Sequence, residues 1–248
     1  MNRIGAPWLR LNYGTANLLR ARWPWAVASL ILVIQGCVEL GGGYDSLLSW
    51  LETFGLLRAN VLDGAVWQLF TYALLHGGLL HAGVNALCIV LLGARVEHVA
   101  GACGFFKTMC WGIVGGGIVH VLLAPGGPLD ATLVGISGGC VALLILVTTL
   151  SPDSKMWPLP VSGRSLGAGI LVTELLLALM HPTLDLPGIG GVGGWLVDVG
   201  FGSWFDIGHA CHFGGGLAGW MMGRWMLRPR ISLKTLQIDR ERRERRRR

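Results

Sequence analysis

Charge is what this chain has least of. Asp, Glu, Lys and Arg together make up 14% of its 248 residues, against about 25% in soluble domains, while 52% are hydrophobic and the mean hydropathy is +0.57. That balance excludes a water-solvated globular domain as the main body. Cysteines in metal-ligand pairs are also missing. Cys37, Cys88, Cys103, Cys110, Cys140 and Cys211 share no such spacing, and five of them fall in or beside apolar runs, so neither a disulfide scaffold nor a zinc site is expected. They read as small packing residues. No internal repeat is found, which speaks against a transporter built from inverted halves, and no second domain is apparent.

What is present fits a bilayer. The 39 glycines are too many for soluble helices, but membrane helices tolerate them because they let backbones approach closely. A spanning helix needs ~20 mostly apolar residues. Six stretches qualify, at about 24–40, 79–94, 105–124, 133–150, 165–180 and 206–227. The expected organisation is a short N-terminal segment, 1–23, a six-helix membrane domain, 24–227, and a basic tail, 228–248. The first stretch follows Arg20 and Arg22 without a small-residue cleavage site, so it reads as a retained anchor rather than a signal peptide.

Loop charge sets the direction. Arg3, Arg10, Arg20 and Arg22 precede the first span, Arg95 and Lys107 follow the second, Lys155 and Arg164 follow the fourth, and the tail is rich in Arg. The intervening loops hold only Arg58 against Asp45, Glu52, Asp63, Asp130, Asp185 and Asp198. By the positive-inside rule both termini are expected in the cytoplasm. The arginine-rich tail then faces anionic lipid, and nucleic acid is not expected as a partner. Two outer loops are long and apolar, 41–66 and 181–205; long ordered loops are often functional.

Polar groups inside spans are costly and so point to function. His81 and Asn85, at i and i+4, share a helix face in the second span. Gly135-Ile136-Ser137-Gly138-Gly139 opens the fourth, and His209-Ala210-Cys211-His212-Phe213-Gly214-Gly215-Gly216 opens the sixth. These three spans run in the same direction with the polar group near the start of each. At 1.5 Å rise per residue the groups lie ~5–10 Å below one surface. Taken singly, a Ser between glycines packs helices and a membrane His bonds a neighbouring backbone. Together they make a plausible hydrolytic site: nucleophile, base and oxyanion donors. Gly215, Gly219 and Gly223, spaced by four, read as a close-packing stripe that brings span six against span four.

His81-x-x-x-Asn85, Gly135-x-Ser137-Gly138 and His212-x-Gly214-Gly215, in that order, resemble the three signatures of rhomboid proteases. Trp67-Gln68-Leu69-Phe70-Thr71 is similar to that family's Trp-Arg-x-x-Thr entry to the second span, with Gln68 in place of Arg, and Gly93-x-x-x-Glu97 is similar to the close of that span. Cys211 stands where a small Ala is usual. The resemblance covers roughly residues 66–223.

It implies an all-α, six-transmembrane-helix bundle with an outward-open cavity in the cell membrane, and a serine endopeptidase that cuts transmembrane segments of membrane proteins near the outer leaflet. It implies Ser137 as nucleophile and His212 as general base, a dyad without an essential carboxylate. His81, Asn85 and the Ser137 backbone N–H would stabilise the oxyanion. The fifth loop would cap the cavity, and span five would move sideways to admit substrate. No cofactor or metal is called for. His209, one turn before His212, competes for the base, and the glycines after His212 favour His212. Glu174, inside span five, matches no signature. Two other functions stay open: a rhomboid-fold protein that escorts membrane segments without cutting them, and a small carrier using His76, His81, His209 and His212.

Overall fold

The computed structural model describes residues 18–123, 132–156, 160–228, 237–238, 240 and 242–245. Arg3, Arg10, Asp130 and most of the basic tail lie outside them. The fold is all-helical: the described residues contain no β-strand, only two isolated bridges.

Among the described residues, helices of ten residues or more overlap each of the apolar stretches. They are α1 (Arg22–Leu40), α2 (Leu79–Cys88), α3 (Ala94–Leu123), α4 (Ser137–Leu150), α5 (Gly163–Leu179) and α6 (His209–Met226). Arg22–Leu40 and the joined stretch Leu79–Leu123 are long and apolar enough to cross a membrane by length and composition, and Ser137–Leu150 is a shorter apolar helix. Helix α6 falls below that hydropathy because it carries His209, His212, Arg224 and a run of glycines.

The loop expected after span two is not there. From Cys88 the chain passes through a π-helical turn, Ile89–Gly93, into α3, so Arg95 and Lys107 sit in helix. The turn toward span three is made by Gly101 alone, at φ 71°, ψ 174°. Only glycine holds such a left-handed angle without strain. The break divides the joined stretch into two arms of about 20 residues, each ~30 Å long and matched to a bilayer core.

Helix α1 buries one stripe, Pro24, Ala28, Ile31, Gln35 and Val38, whose three- and four-residue spacing is that of a single helix face, and lays it on α2. Helix α4 is central. Gly138, Gly139, Cys140, Ala142, Leu143, Ile145, Leu146, Val147 and Thr148 are all buried, so it is enclosed on every side, with α3 and α6 packed most closely against it and α5 contributing less. The outside is apolar too. Leu80, Val84, Leu87, Trp111, Leu122 and Val172 are exposed, a surface that suits lipid rather than water.

The seam between α4 and α6 uses the glycines at the expected spacing. A β-carbon on Gly215 would run into the Gly138 carbonyl, and one on Gly219 into the Ala142 carbonyl. Lipid tails are as apolar as leucine, so helices in a bilayer associate through such close van der Waals packing rather than through hydrophobic burial. This seam decides where the two ends of the candidate site meet.

Loop one is built onto the entry to α2. The short helix Leu48–Phe54 ends with orphan carbonyls, as every helix does. Gln68 Nε2 donates to Glu52 O at 2.9 Å, Trp67 Nε1 to Thr53 O at 2.9 Å and Thr71 Oγ1 to Phe54 O at 2.8 Å. Gln68 Oε1 accepts from Leu57 N–H at 3.1 Å. The Gln that stands for Arg in this motif thus fastens loop one, and it is fully buried.

Candidate active site

The segment before Ser137 is held from two sides. Leu133 pairs with Leu56 of loop one through two backbone bonds of 3.0 and 2.9 Å, and Gly135 N–H donates to Tyr72 O at 3.0 Å. Gly135 has φ +117°, and a side chain there would collide with the His81 ring, whose Nε2 lies 2.9 Å from the position of a β-carbon. Both facts require glycine. Ile136 N–H donates to His76 Nε2 across a long 3.5 Å. Burial pushes the His76 imidazole down to about 4, so the ring stays neutral and keeps an acceptor nitrogen. Ser137 then opens α4, where the first N–H groups of a helix have no intrahelical partner.

Ser137 Oγ lies 2.8 Å from His212 Nε2. On its other side, His212 Nδ1 lies 3.2 Å from Glu174 Oε1 on α5. A carboxylate can only accept, so the Nδ1 of His212 carries the proton and Nε2 presents a bare lone pair to the serine hydroxyl. His209 does not reach Ser137. Its Nδ1 lies 2.6 Å from Glu174 Oε2 and its Nε2 2.8 Å from the Trp204 carbonyl. Of the two candidate bases, the chain brings His212 to the serine.

His81 and Asn85 come to the same place from α2. His81 Nδ1 accepts from Gly77 N–H at 3.4 Å, which leaves Nε2 as the N–H of that ring, beside Gly135. Asn85 is buried; its Nδ2 has no partner among the described residues and lies 3.7 Å from the β-carbon position of Gly135. A buried amide donor without a partner is costly, and this one faces the Gly135 turn, two residues before Ser137. Cys211, at the usual Ala position, packs its sulfur 3.3 Å from Tyr72 Oη, and Tyr72 Oη donates to Ile113 O at 2.8 Å.

Four predicted residues, Ser137, His212, His81 and Asn85, therefore gather at one place. Glu174 is the residue whose partners the sequence did not show. The signal for it was a carboxylate in an apolar span. Glu174, His209 and His212 also offer ligand atoms within 4.8 Å of one another, a spacing that could hold a metal ion. In this arrangement both Nδ1 atoms are already committed to the carboxylate, so a cation would have to displace two protons. His76 and His81 form one ring pair, centroids 5.2 Å apart, and His209 and His212 another, at 6.2 Å.

Loop five is helical in pieces, Pro182–Leu184, Ile189–Leu196, Val197–Phe201 and Gly202–Asp206. Its link to the site is the Trp204 carbonyl on His209.

Comparison with known proteins adds an independent line. A rhomboid-domain family model matches residues 63–229. Human "Rhomboid-related protein 3" is 35% identical over 83 residues, 34% of this chain and 20% of that protein. "Putative rhomboid protease YdcA" of Bacillus subtilis (strain 168) is 30% identical over 122 residues, 48% of this chain and 59% of that protein. The matched segments thus span less than two thirds of either relative. The family match takes in α2 through α6 and every residue of the gathered site, and the chain belongs to the rhomboid family of integral membrane proteins.

Proposed function

We propose that this protein is an intramembrane serine endopeptidase that cleaves transmembrane segments of membrane proteins with a Ser137–His212 dyad. The observation that carries this reading is the 2.8 Å approach of Ser137 Oγ to His212 Nε2, with Glu174 Oε1 3.2 Å from the opposite ring nitrogen. A serine hydroxyl is a weak nucleophile until a base takes its proton. As Ser137 Oγ attacks the scissile carbonyl, its proton passes to His212 Nε2 and the carbonyl π electrons move onto oxygen. His81 Nε2–H, Asn85 Nδ2–H and the Ser137 backbone N–H are the donors for that oxyanion. When the intermediate collapses, the C–N bond breaks and the proton on Nε2 goes to the leaving amine. Water then repeats the sequence on the acyl-enzyme.

In this reading the six long helices are spans, both termini are cytoplasmic, and the site opens to the outer face of the cell membrane with loop five above it. The loop charge bias supports that orientation. A substrate helix must unwind to be cut, because its backbone groups are bonded internally in lipid. Favoured substrates therefore carry Gly or Pro near the outer leaflet and a small residue at the cut.

The test is labelling of the detergent-solubilised full chain with a fluorophosphonate. Wild type should label at one site. Ser137→Ala should remove the label, His212→Ala should slow labelling ~10²–10⁴-fold, and His209→Ala should lose much less. A chain that folds but never labels would instead be a rhomboid-fold protein that binds membrane segments without cutting them.

A further inference from the structure

Glu174 belongs to none of the sequence signatures, yet among the described residues it is the carboxylate that contacts the site. It projects from α5 and spends both oxygens on α6, Oε1 on His212 Nδ1 at 3.2 Å and Oε2 on His209 Nδ1 at 2.6 Å. Its side chain is 18% exposed, against 16% for His212 and 8% for His209, so all three are largely withdrawn from solvent. The far side of His209 meets the Trp204 carbonyl at 2.8 Å. Both nitrogens of His209 therefore face acceptors, and the ring satisfies both only when both nitrogens carry protons.

We infer that Glu174 is the positioning residue of the dyad. It holds His212 in the Nδ1–H tautomer aimed at Ser137, and it is itself held in place by His209, which loop five fixes through Trp204. The inference rests on the protease reading for its kinetic consequence but not for its structural content. The carboxylate takes no proton in the reaction. The Ser137 proton stays on His212 Nε2 until it leaves with the amine, and Glu174 acts only by accepting from Nδ1.

Because the other oxygen faces an imidazole rather than a fixed N–H, an amide can substitute. In Glu174→Gln the amide oxygen can accept from His212 while the amide nitrogen donates to His209 Nδ1, with His209 now neutral and still donating to Trp204. Leucine, of similar size, offers no acceptor. In serine triads the loss of the correct tautomer costs ~10⁴ in kcat, which sets the scale.

The experiment uses the full chain reconstituted in bilayers, as wild type, Glu174→Gln and Glu174→Leu. Three readouts are kcat and KM on a transmembrane reporter substrate, the rate of fluorophosphonate labelling, and the ¹⁵N spectrum of labelled histidine to read the His212 tautomer. Wild type and Glu174→Gln should both show His212 as Nδ1–H, with kcat within ~10-fold of each other. Glu174→Leu should lose that tautomer and fall ~10²–10⁴-fold in kcat and labelling, with KM within about threefold. Four results would overturn the assignment: Glu174→Leu at wild-type kcat, a loss confined to KM, a Gln variant as inactive as Leu, or wild-type His212 protonated on Nε2. If wild type neither cuts nor labels, the protease reading fails, and the ¹⁵N spectrum still decides the role of Glu174.

Discussion

Replacing Gly215 with alanine tests how the α4–α6 seam sets the candidate site. The added methyl meets the Gly138 carbonyl, which is backbone at the start of a buried helix and cannot swing aside as a side chain could. Helix α6 must back away by on the order of 1 Å to restore van der Waals contact. His212 is one turn before Gly215 on the same helix and moves with it. The Ser137–His212 separation of 2.8 Å would then approach ~3.8 Å, outside hydrogen-bond range. A misplacement of that size costs about 10²-fold in rate, and overpacking costs about 1–3 kcal/mol in stability. The labelling rate and thermal unfolding in detergent measure the two separately. Gly36→Ala is the control, since a β-carbon there has nothing within 4 Å, and it should label like wild type. A Gly215→Ala protein that labels at the wild-type rate would refute the claim that backbone contact between α4 and α6 positions the dyad.

Three further outcomes follow from the same geometry. Asn85→Ala should lower kcat ~10²–10³-fold with little change in KM; a rise in KM alone would make Asn85 a substrate contact instead. Gln68→Ala should cost about 1–3 kcal/mol, because it strands the Leu57 N–H and the Glu52 carbonyl, and an unchanged unfolding temperature would show that loop one is fastened elsewhere. A reporter fused after Arg248 should behave as cytoplasmic and one inserted near Gly190 as external. An external signal from the C-terminus would reverse the orientation inferred from loop charge.

The helices were readable from sequence because bilayer thickness fixes the length of an apolar run, and the polar residues stood out against it. Ser137, His81, Asn85 and His212 could be grouped because each stands near the start of an apolar stretch. Two features escaped. The turn after span two was expected as a loop, yet a left-handed angle at Gly101 alone makes it, and nothing sets that glycine apart from its many neighbours. For the choice between His209 and His212 the glycines after His212 were the guide, and the seam at Gly215 and Gly219 is what fixes the rotation of α6 about its axis. Glu174 could not be placed because its partners lie 35 and 38 residues away on another helix, a distance that no local periodicity spans.

The location of Glu174 on α5 gives the site a mechanical property. Ser137 and His212 are locked together by the glycine seam, but the acceptor behind the imidazole rides on a helix that packs less extensively than α3, α4 and α6 pack on one another. The outer flank of α5 carries a shallow groove of about 360 Å³ that runs past Ser165, Gly169 and Thr173 to Glu174. Any outward swing of α5 withdraws the acceptor from both histidines at once, leaving Ser137 and His212 in contact but the imidazole free to turn. Helix position and imidazole orientation are thus interlocked, so on the protease reading a bundle with α5 swung out would be disarmed and the return of α5 would re-arm the site.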